Sequence, residues 1–373
     1  PAYMARPRRP VLGQWFEDRR HTSQRGTRSD VLPPYFANLI PEGDLKLTLT
    51  ERLAVAIDDD LGLLCAVGAD LPGALTVRLE SGEPPSTRSV SRPDTDTSGF
   101  RFSLAGVQLK FSMVRGADRF HMPGHDEHGG WIAKISYERF PDLAANEWTT
   151  MEWARGIGFD VPRTELRTLG QLVDVPHEGD ADAQVFLIER YDRGPAGSRI
   201  HQEDFQQIVG RRPDKKYLDM TYDRLGLLVM NIIDAEAYAE FVRRLAFVIA
   251  SGNNDAHMKN WSVVYPDGIA AQWSPLYDQV FTARWPNFAI APALKVDGAK
   301  EFAEIDLRHF RVMAERIGAN AGETEDLVAT TVARAAVAWR DVREHPNVTP
   351  AYREALRRHW QRTPLLRPHA LLI

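Results

Sequence analysis

Apolar positions along this chain change their period twice, and each change marks a different kind of element. Between residues 33 and 78, short apolar runs alternate with turn residues in PPYFANLIPEG, LTERLAVAI and DLGLLCAVGADLPGAL, which predicts short helices. Residues 81–97, SGEPPSTRSVSRPDTDT, hold almost nothing to bury and read as a mobile linker. Beyond it, FRFSLAGVQLKFSMV (100–114), GWIAKISY (130–137) and VFLIERYD (185–192) combine β-branched and aromatic residues between turn signals, the signature of strands. Between the second and third of these, residues 142–157 predict a helix that buries Trp148, Met151 and Ala154 and ends near Gly156–Gly158.

Further on the period becomes that of helices. Residues 235–250 set Tyr238, Phe241, Val242, Leu245 and Ile249 on one face, and the pattern stops at Gly252. WSVVY, the turn PDG and IAAQW then predict a hairpin, and 301–317 and 322–343 predict amphipathic helices. There is no internal repeat. Strands with one helix, followed by helices with one inserted hairpin, predict an α+β fold with a small β-rich lobe and a larger α-helical one. The expected divisions are 1–97 (N-terminal subdomain and linker), 98–193 (β-rich lobe) and 194–373 (helical lobe).

Composition narrows the classes. With 373 residues, 43% hydrophobic and 26% charged, the chain is of the soluble globular kind, and a net charge of −5 argues against a general nucleic-acid binder. Arginines crowd both ends: Arg6, Arg8, Arg9, Arg19, Arg20, Arg25 and Arg28 near the start, and Arg353, Arg357, Arg358, Arg362 and Arg367 near the finish. These read as solvated surface before they read as a face for DNA or an acidic partner. One cysteine, Cys65, excludes an internal disulfide framework and a cysteine-based zinc site; in LGLLCAVG it is expected in the core. No apolar stretch reaches 18 residues, so the expectation is a cytoplasmic protein with no membrane partner.

The chemistry concentrates in SGNNDAHMKN (251–260), where Asp255 is followed five positions later by Asn260. Phosphoryl transfer from ATP needs a carboxylate that orients the attacking hydroxyl and takes its proton. It also needs an amide and a second carboxylate for magnesium, and a cation on the phosphates. Asp-x-x-x-x-Asn is the spacing that protein kinases use for the first two groups, and the predicted hairpin leads through SPLY to Asp278 as the second carboxylate. Lys134 in WIAKIS suits the phosphate lysine, Glu147 in the next helix is its candidate ion-pair partner, and SLAGVQLK (103–110) offers a small-residue turn that could lie over a triphosphate. Taken singly, each has a plainer reading. Asp-x-x-x-x-Asn arises by chance, Asn253 and Asn254 suit turns, His257 suits a structural histidine, Lys110 suits a solvent-side strand position, and Glu147 suits a solvated helix position. The shared order of all the parts favours the kinase-like, two-lobed fold.

The chain also resembles the HipA-like serine/threonine kinases of bacterial toxin–antitoxin systems. The likeness rests on FANLIPEG, LLCAVGADLPGAL, SLAGVQLKFS, ANEWTTMEWARGIGFDVP, VFLIERYDR, HQEDF, SGNNDAHMKNWSVVY and WSPLYD, in family order between about residues 31 and 280. It implies Asp255 as catalytic base with His257 in the active-site loop, Asn260 and Asp278 as Mg2+ ligands, and Lys134 on the ATP phosphates. It implies Glu189 and Tyr191, assisted by Asp192, at the adenine. Ala105, Gly106 and Lys110 then belong to the phosphate turn, and Ser103 is the autophosphorylated serine, whose added charge would repel ATP and switch the enzyme off. The implied partners are a helix-turn-helix HipB-like antitoxin, through which alone DNA is met, and an aminoacyl-tRNA synthetase as substrate. Only about 30 residues precede the first matching block, which is similar to the shortened, HipT-like toxins of three-gene systems and implies a separate small HipS-like protein. Other readings are a small-molecule or lipid phosphotransferase, and a catalytically idle nucleotide-binding co-repressor.

Overall fold

The computed structural model describes residues 8–18, 32–79, 110–117, 119–123, 127–136, 140, 142–175, 179–217, 220–285 and 291–373. Its elements are α1 (Gln14–Glu17), α2 (Pro34–Ala37), α3 (Gly43–Arg52), α4 (Asp60–Val67), β1 (Lys110–Arg115), β2 (Phe120–His121), β3 (Trp131–Ile135) and α5 (Leu143–Ile157). There follow β4 (Thr164–Thr168), β5 (Leu172–Val173), β6 (Gln184–Glu189), β7 (His201–Asp204), α6 (Phe205–Ile208), α7 (Tyr222–Ile232) and α8 (Ala237–Ala250). The last are β8 (Ser262–Tyr265), β9 (Gln272–Trp273), α9 (Leu307–Ile317), α10 (Ala321–Val342) and α11 (Pro350–Arg362). This is the α+β class expected from the sequence.

The chain divides into two compact units: one drawn from 1–141, 165–216 and 262–270, the other from 142–164, 217–261 and 271–373. In the first, six strands form a sheet in the order β4-β6-β3-β1-β2-β5. β1 and β3 run antiparallel with Lys110 opposite Lys134, and β3 and β6 run antiparallel with Trp131 opposite Glu189. β3 and β6 are buried almost throughout, as strands covered on both faces must be, so they lack polar alternation. Phe111, Met113, Trp131, Ala133, Val185 and Leu187 of the sheet share one apolar cluster with Tyr35, Leu39, Leu45, Leu49, Leu63 and Leu64 of the preceding helical region. Cys65, expected in that core, is only half-buried: it lies beside Leu63, Leu64 and Val67 in α4, the residues that turn inward.

β7 pairs antiparallel with β8 and carries Glu203, a fully buried carboxylate. The backbone N–H of Gln14 donates to both of its oxygens, at 3.0 and 3.1 Å, and the Tyr265 hydroxyl donates to one of them. Burial pushes the carboxyl up to about 7, even though these donors favour its charged form.

The second unit is helical. α8 is buried over all but Ala239, Glu240 and Arg243, which lie at the edge of its apolar face. Trp153 of α5 donates its indole N–H to Ala335 O of α10 at 2.8 Å and packs its ring 5.3 Å from Phe247 and 5.2 Å from Trp339. Several helix boundaries have a local cause. Gly158 ends α5 at φ 99°, Asp306 and His309 form a capping box on α9, and Asn320 and Thr349 cap α10 and α11. α5 was expected to bury Trp148; it buries Asn146 and Glu147 instead and leaves Trp148 half-exposed.

Candidate functional site

In the second unit, the segment 251–260 begins where α8 stops. Gly252 has φ 63°, and the N–H groups of Gly252 and Asn253 return to Ile249 O (3.1 Å) and Val248 O (3.0 Å), closing the helix with a left-handed cap. Any side chain at Gly252 would start 2.6 Å from the Phe281 ring, so glycine is required twice over. The last carbonyls of α8 take donors from α11: His359 Nε2–H meets Ile249 O at 2.7 Å and the Trp360 indole meets Ala250 O at 2.8 Å. Burial pulls His359 down to about 4, so the ring is neutral near neutral pH.

The loop then folds on its own amides. The Asp255 N–H donates to Asn253 Oδ1 at 3.0 Å, the asparagine turn expected from the sequence. The Asn253 amide also reaches Asp278 O (3.4 Å) and Gln279 Oε1 (3.3 Å), and Asn254 N donates to Thr282 Oγ1 at 2.8 Å. Asn260 Nδ2 donates to Asp255 O at 2.9 Å, which fixes the position of the amide oxygen. The Tyr277 hydroxyl donates to Lys259 O at 2.9 Å, so the residues preceding Asp278 and Asn260 are tied to each other. On the far side, Asn146 of α5 clasps Phe281, donating to its O (3.1 Å) and accepting from its N–H (2.8 Å).

Asp255, His257, Asn260 and Asp278 are thus held by one hydrogen-bonded framework. Asp278 has φ 57°, a conformation that non-glycine residues rarely take and that concentrates at functional sites. His257 and Asn260 are buried, whereas the Asp255 side chain is 48% exposed. The His257 Nε2 lies 3.9 Å from Asp255 Oδ1, and the same oxygen accepts the hydroxyl of Tyr217. Ala256 O accepts from Tyr222 (3.1 Å) and the Trp261 indole (3.0 Å), which anchors the loop between the two key residues.

In the first unit, Lys134 is buried on β3, its ammonium 5.8 Å from the Phe186 ring centroid, and Lys110 stands directly across from it on β1. Opposed residues on antiparallel strands share a face, so Lys110, Lys134 and Phe186 of β6 lie on the same side of the sheet. Glu189 ends β6, with Tyr191 two residues beyond. Asp192 lies in an ion lattice: its carboxylate accepts from Arg190 (2.9 and 3.0 Å), Arg193 (2.9 Å) and Gly73 N (2.7 Å). Burial alone would raise that carboxyl, but the guanidinium of Arg190 holds it below the usual range. Glu147 is wholly buried on α5 in the second unit, which rules out its reading as a solvated helix position. Ser103, Ala105 and Gly106 lie outside the described residues.

No cluster of three or more His, Cys, Asp or Glu able to hold a metal occurs among the described residues. One amide oxygen with one carboxylate, Asn260 and Asp278, suits magnesium, which keeps waters and substrate phosphates and takes few protein ligands. Sequence reasoning missed Tyr217, Asn146, Thr282, His359 and Trp360; each acts through a contact remote in sequence, and of the five only Asn146 lies within a matching block.

Two family models match: the HipA-like C-terminal domain over residues 102–339 and the HipA N-terminal domain over residues 1–78. A protein of Sinorhizobium fredii named "Putative kinase Y4dM" is 36% identical over 297 residues, spanning 76% of this chain and 71% of its own. The "Serine/threonine-protein kinase toxin HipA" of Shewanella oneidensis is 26% identical over 306 residues, spanning 72% and 67%. A chain of the solved complex of Shewanella oneidensis HipA, HipB and operator DNA shares the fold at TM-score 0.71 and 20% identity, covering 91% of this chain and 84% of that one. No helix among the described residues is long and apolar enough to cross a membrane. With both models matching in order and the first spanning more than half of its length, the chain belongs to the HipA family.

Proposed function

We propose that the chain is an ATP-dependent serine/threonine protein kinase and the toxin of a toxin–antitoxin system. The observation that carries the reading is the framework holding Asp255, Asn260 and Asp278, with Asp255 as its exposed carboxylate. In this reading Asp255 orients the acceptor serine or threonine hydroxyl and receives its proton as the hydroxyl oxygen bonds to the γ-phosphorus. The bond from that phosphorus to the β–γ bridging oxygen breaks, and ADP leaves with the electron pair. His257 supports the Asp255 side chain from 3.9 Å. Asn260 and Asp278 would hold magnesium, which supplies neutralisation of phosphate charge. Lys134 and Lys110 receive the phosphates, and Glu189 and Tyr191 the adenine, with Asp192 holding their segment through Arg190.

The finer assignments follow the family: autophosphorylation at Ser103 as an off-switch, a HipB-like antitoxin, a HipS-like small protein, and an aminoacyl-tRNA synthetase as substrate. The reading is tested by incubating the chain with γ-labelled ATP and magnesium, alone and with dephosphorylated casein. Label at Ser103 and on casein is expected, with Asp255→Asn lowering transfer about 10²–10⁴-fold. Inertness until a metabolite is added would favour a small-molecule or lipid phosphotransferase. A cellular effect that survives Asp255→Asn would favour an idle co-repressor.

A further inference from the structure

Tyr217 lies 38 residues before Asp255, on the segment leading into α7, and its hydroxyl donates to Asp255 Oδ1. Its ring meets His257 edge-on, with centroids 5.2 Å apart and planes at 72°. The residue is 46% exposed, so burial alone gives little reason for an aromatic side chain here.

The Asp255 backbone is already fixed: its N–H donates to Asn253 Oδ1, and its carbonyl accepts from His257 N (2.7 Å) and Asn260 Nδ2 (2.9 Å). What remains to be set is the carboxylate itself, which is half in solvent and hinges on two torsions. The phenol presents an O–H donor to the carboxylate. A hydrogen bond from O–H to a carboxylate is about twice as strong as one between neutral groups, enough to select one rotamer.

We propose that Tyr217 is a positioning residue for phosphoryl transfer: its hydroxyl sets the orientation in which the Asp255 carboxylate meets the acceptor hydroxyl, while its ring braces His257. The proposal rests on the assignment of Asp255 as the base. Tyr217 touches neither nucleotide nor acceptor in this scheme; it acts through Asp255.

The test compares the wild-type chain with Tyr217→Phe, Asp255→Asn and the double variant, using magnesium-ATP and dephosphorylated casein. Phenylalanine keeps the ring against His257 and removes only the hydroxyl. The expected result is a kcat about ten- to a hundredfold lower for Tyr217→Phe, since small misplacements of a catalytic group cost on that order. KM for ATP and the melting temperature stay at their wild-type values, and Tyr217→Phe causes no further loss once Asp255 is already asparagine. A kcat equal to or above the wild type, a changed KM for ATP with unchanged kcat, or losses that multiply in the double variant would each overturn the proposal while leaving the kinase reading in place. A wild-type chain that transfers no phosphate overturns the kinase reading and this proposal with it.

Discussion

Arg190 and Asp70 stand 120 positions apart in sequence and meet as a buried ion pair, Nη1 to Oδ1, at 3.0 Å. Asp192 and Arg193 complete the lattice, Ser112 Oγ donates to Asp70 at 2.9 Å, and Gly73 N donates to Asp192. The lattice fastens the residues that follow β6, beside Glu189 and Tyr191, to the helical region that precedes the sheet.

Removing one member strands the others. Asp70→Asn leaves Arg190 and Arg193 buried with half their compensation and should cost about 3–5 kcal/mol. Urea unfolding reads this directly, and an unchanged midpoint would contradict it. Burial raises the Asp70 and Asp192 carboxyls, but the neighbouring guanidiniums outweigh it and hold both below the ordinary range. Their contribution is therefore complete above the unfolded carboxylate value, about 4, and is lost as pH falls through the lower folded values.

Glu203 has the opposite sign. Its folded value of about 7 lies above the unfolded one, so its contribution is complete in acid and declines as pH rises toward 7. Glu203→Gln removes the ionisation and keeps an acceptor for the Gln14 N–H. Relative to the wild type, the variant should gain about 3 kcal/mol of stability between pH 5 and pH 8, the worth of a shift of this size. Denaturation curves whose separation does not change with pH would refute the assignment.

Asp278 separates backbone strain from chemistry. Glycine adopts φ 57° without penalty, so Asp278→Gly should hold or slightly raise the melting temperature. The same change removes the proposed magnesium carboxylate and should lower phosphoryl transfer about a hundredfold or more. A variant that loses stability and activity together would place Asp278 in the packing instead.

Elements defined by their period were readable from the sequence. α8 and α10 carry long apolar faces, whereas the spacing in SGNNDAHMKN gains meaning only from the order of the segments around it. The misreadings came where a polar contact outranks hydrophobicity. α5 turns Asn146 inward to clasp Phe281 and leaves Trp148 half-exposed. Asp192 is implied at the adenine only by the resemblance; that its carboxylate is engaged by Arg190, Arg193 and Gly73 is a set of contacts no spacing announces. Tyr217, like Asp70, could not have been found: hydrogen bonds across dozens of residues leave no periodic trace.

α11 begins beyond residue 339, where the family-model match ends, and carries no motif, yet His359 and Trp360 plug the carbonyls from which the 251–260 segment springs. A mutational screen for inactive variants should therefore return hits near the carboxyl end of the chain that mimic catalytic lesions. Such hits would be architectural: tail changes that loosen a distant loop, and that second-site substitutions in the aromatic packing around Phe281 and Phe302 can repair.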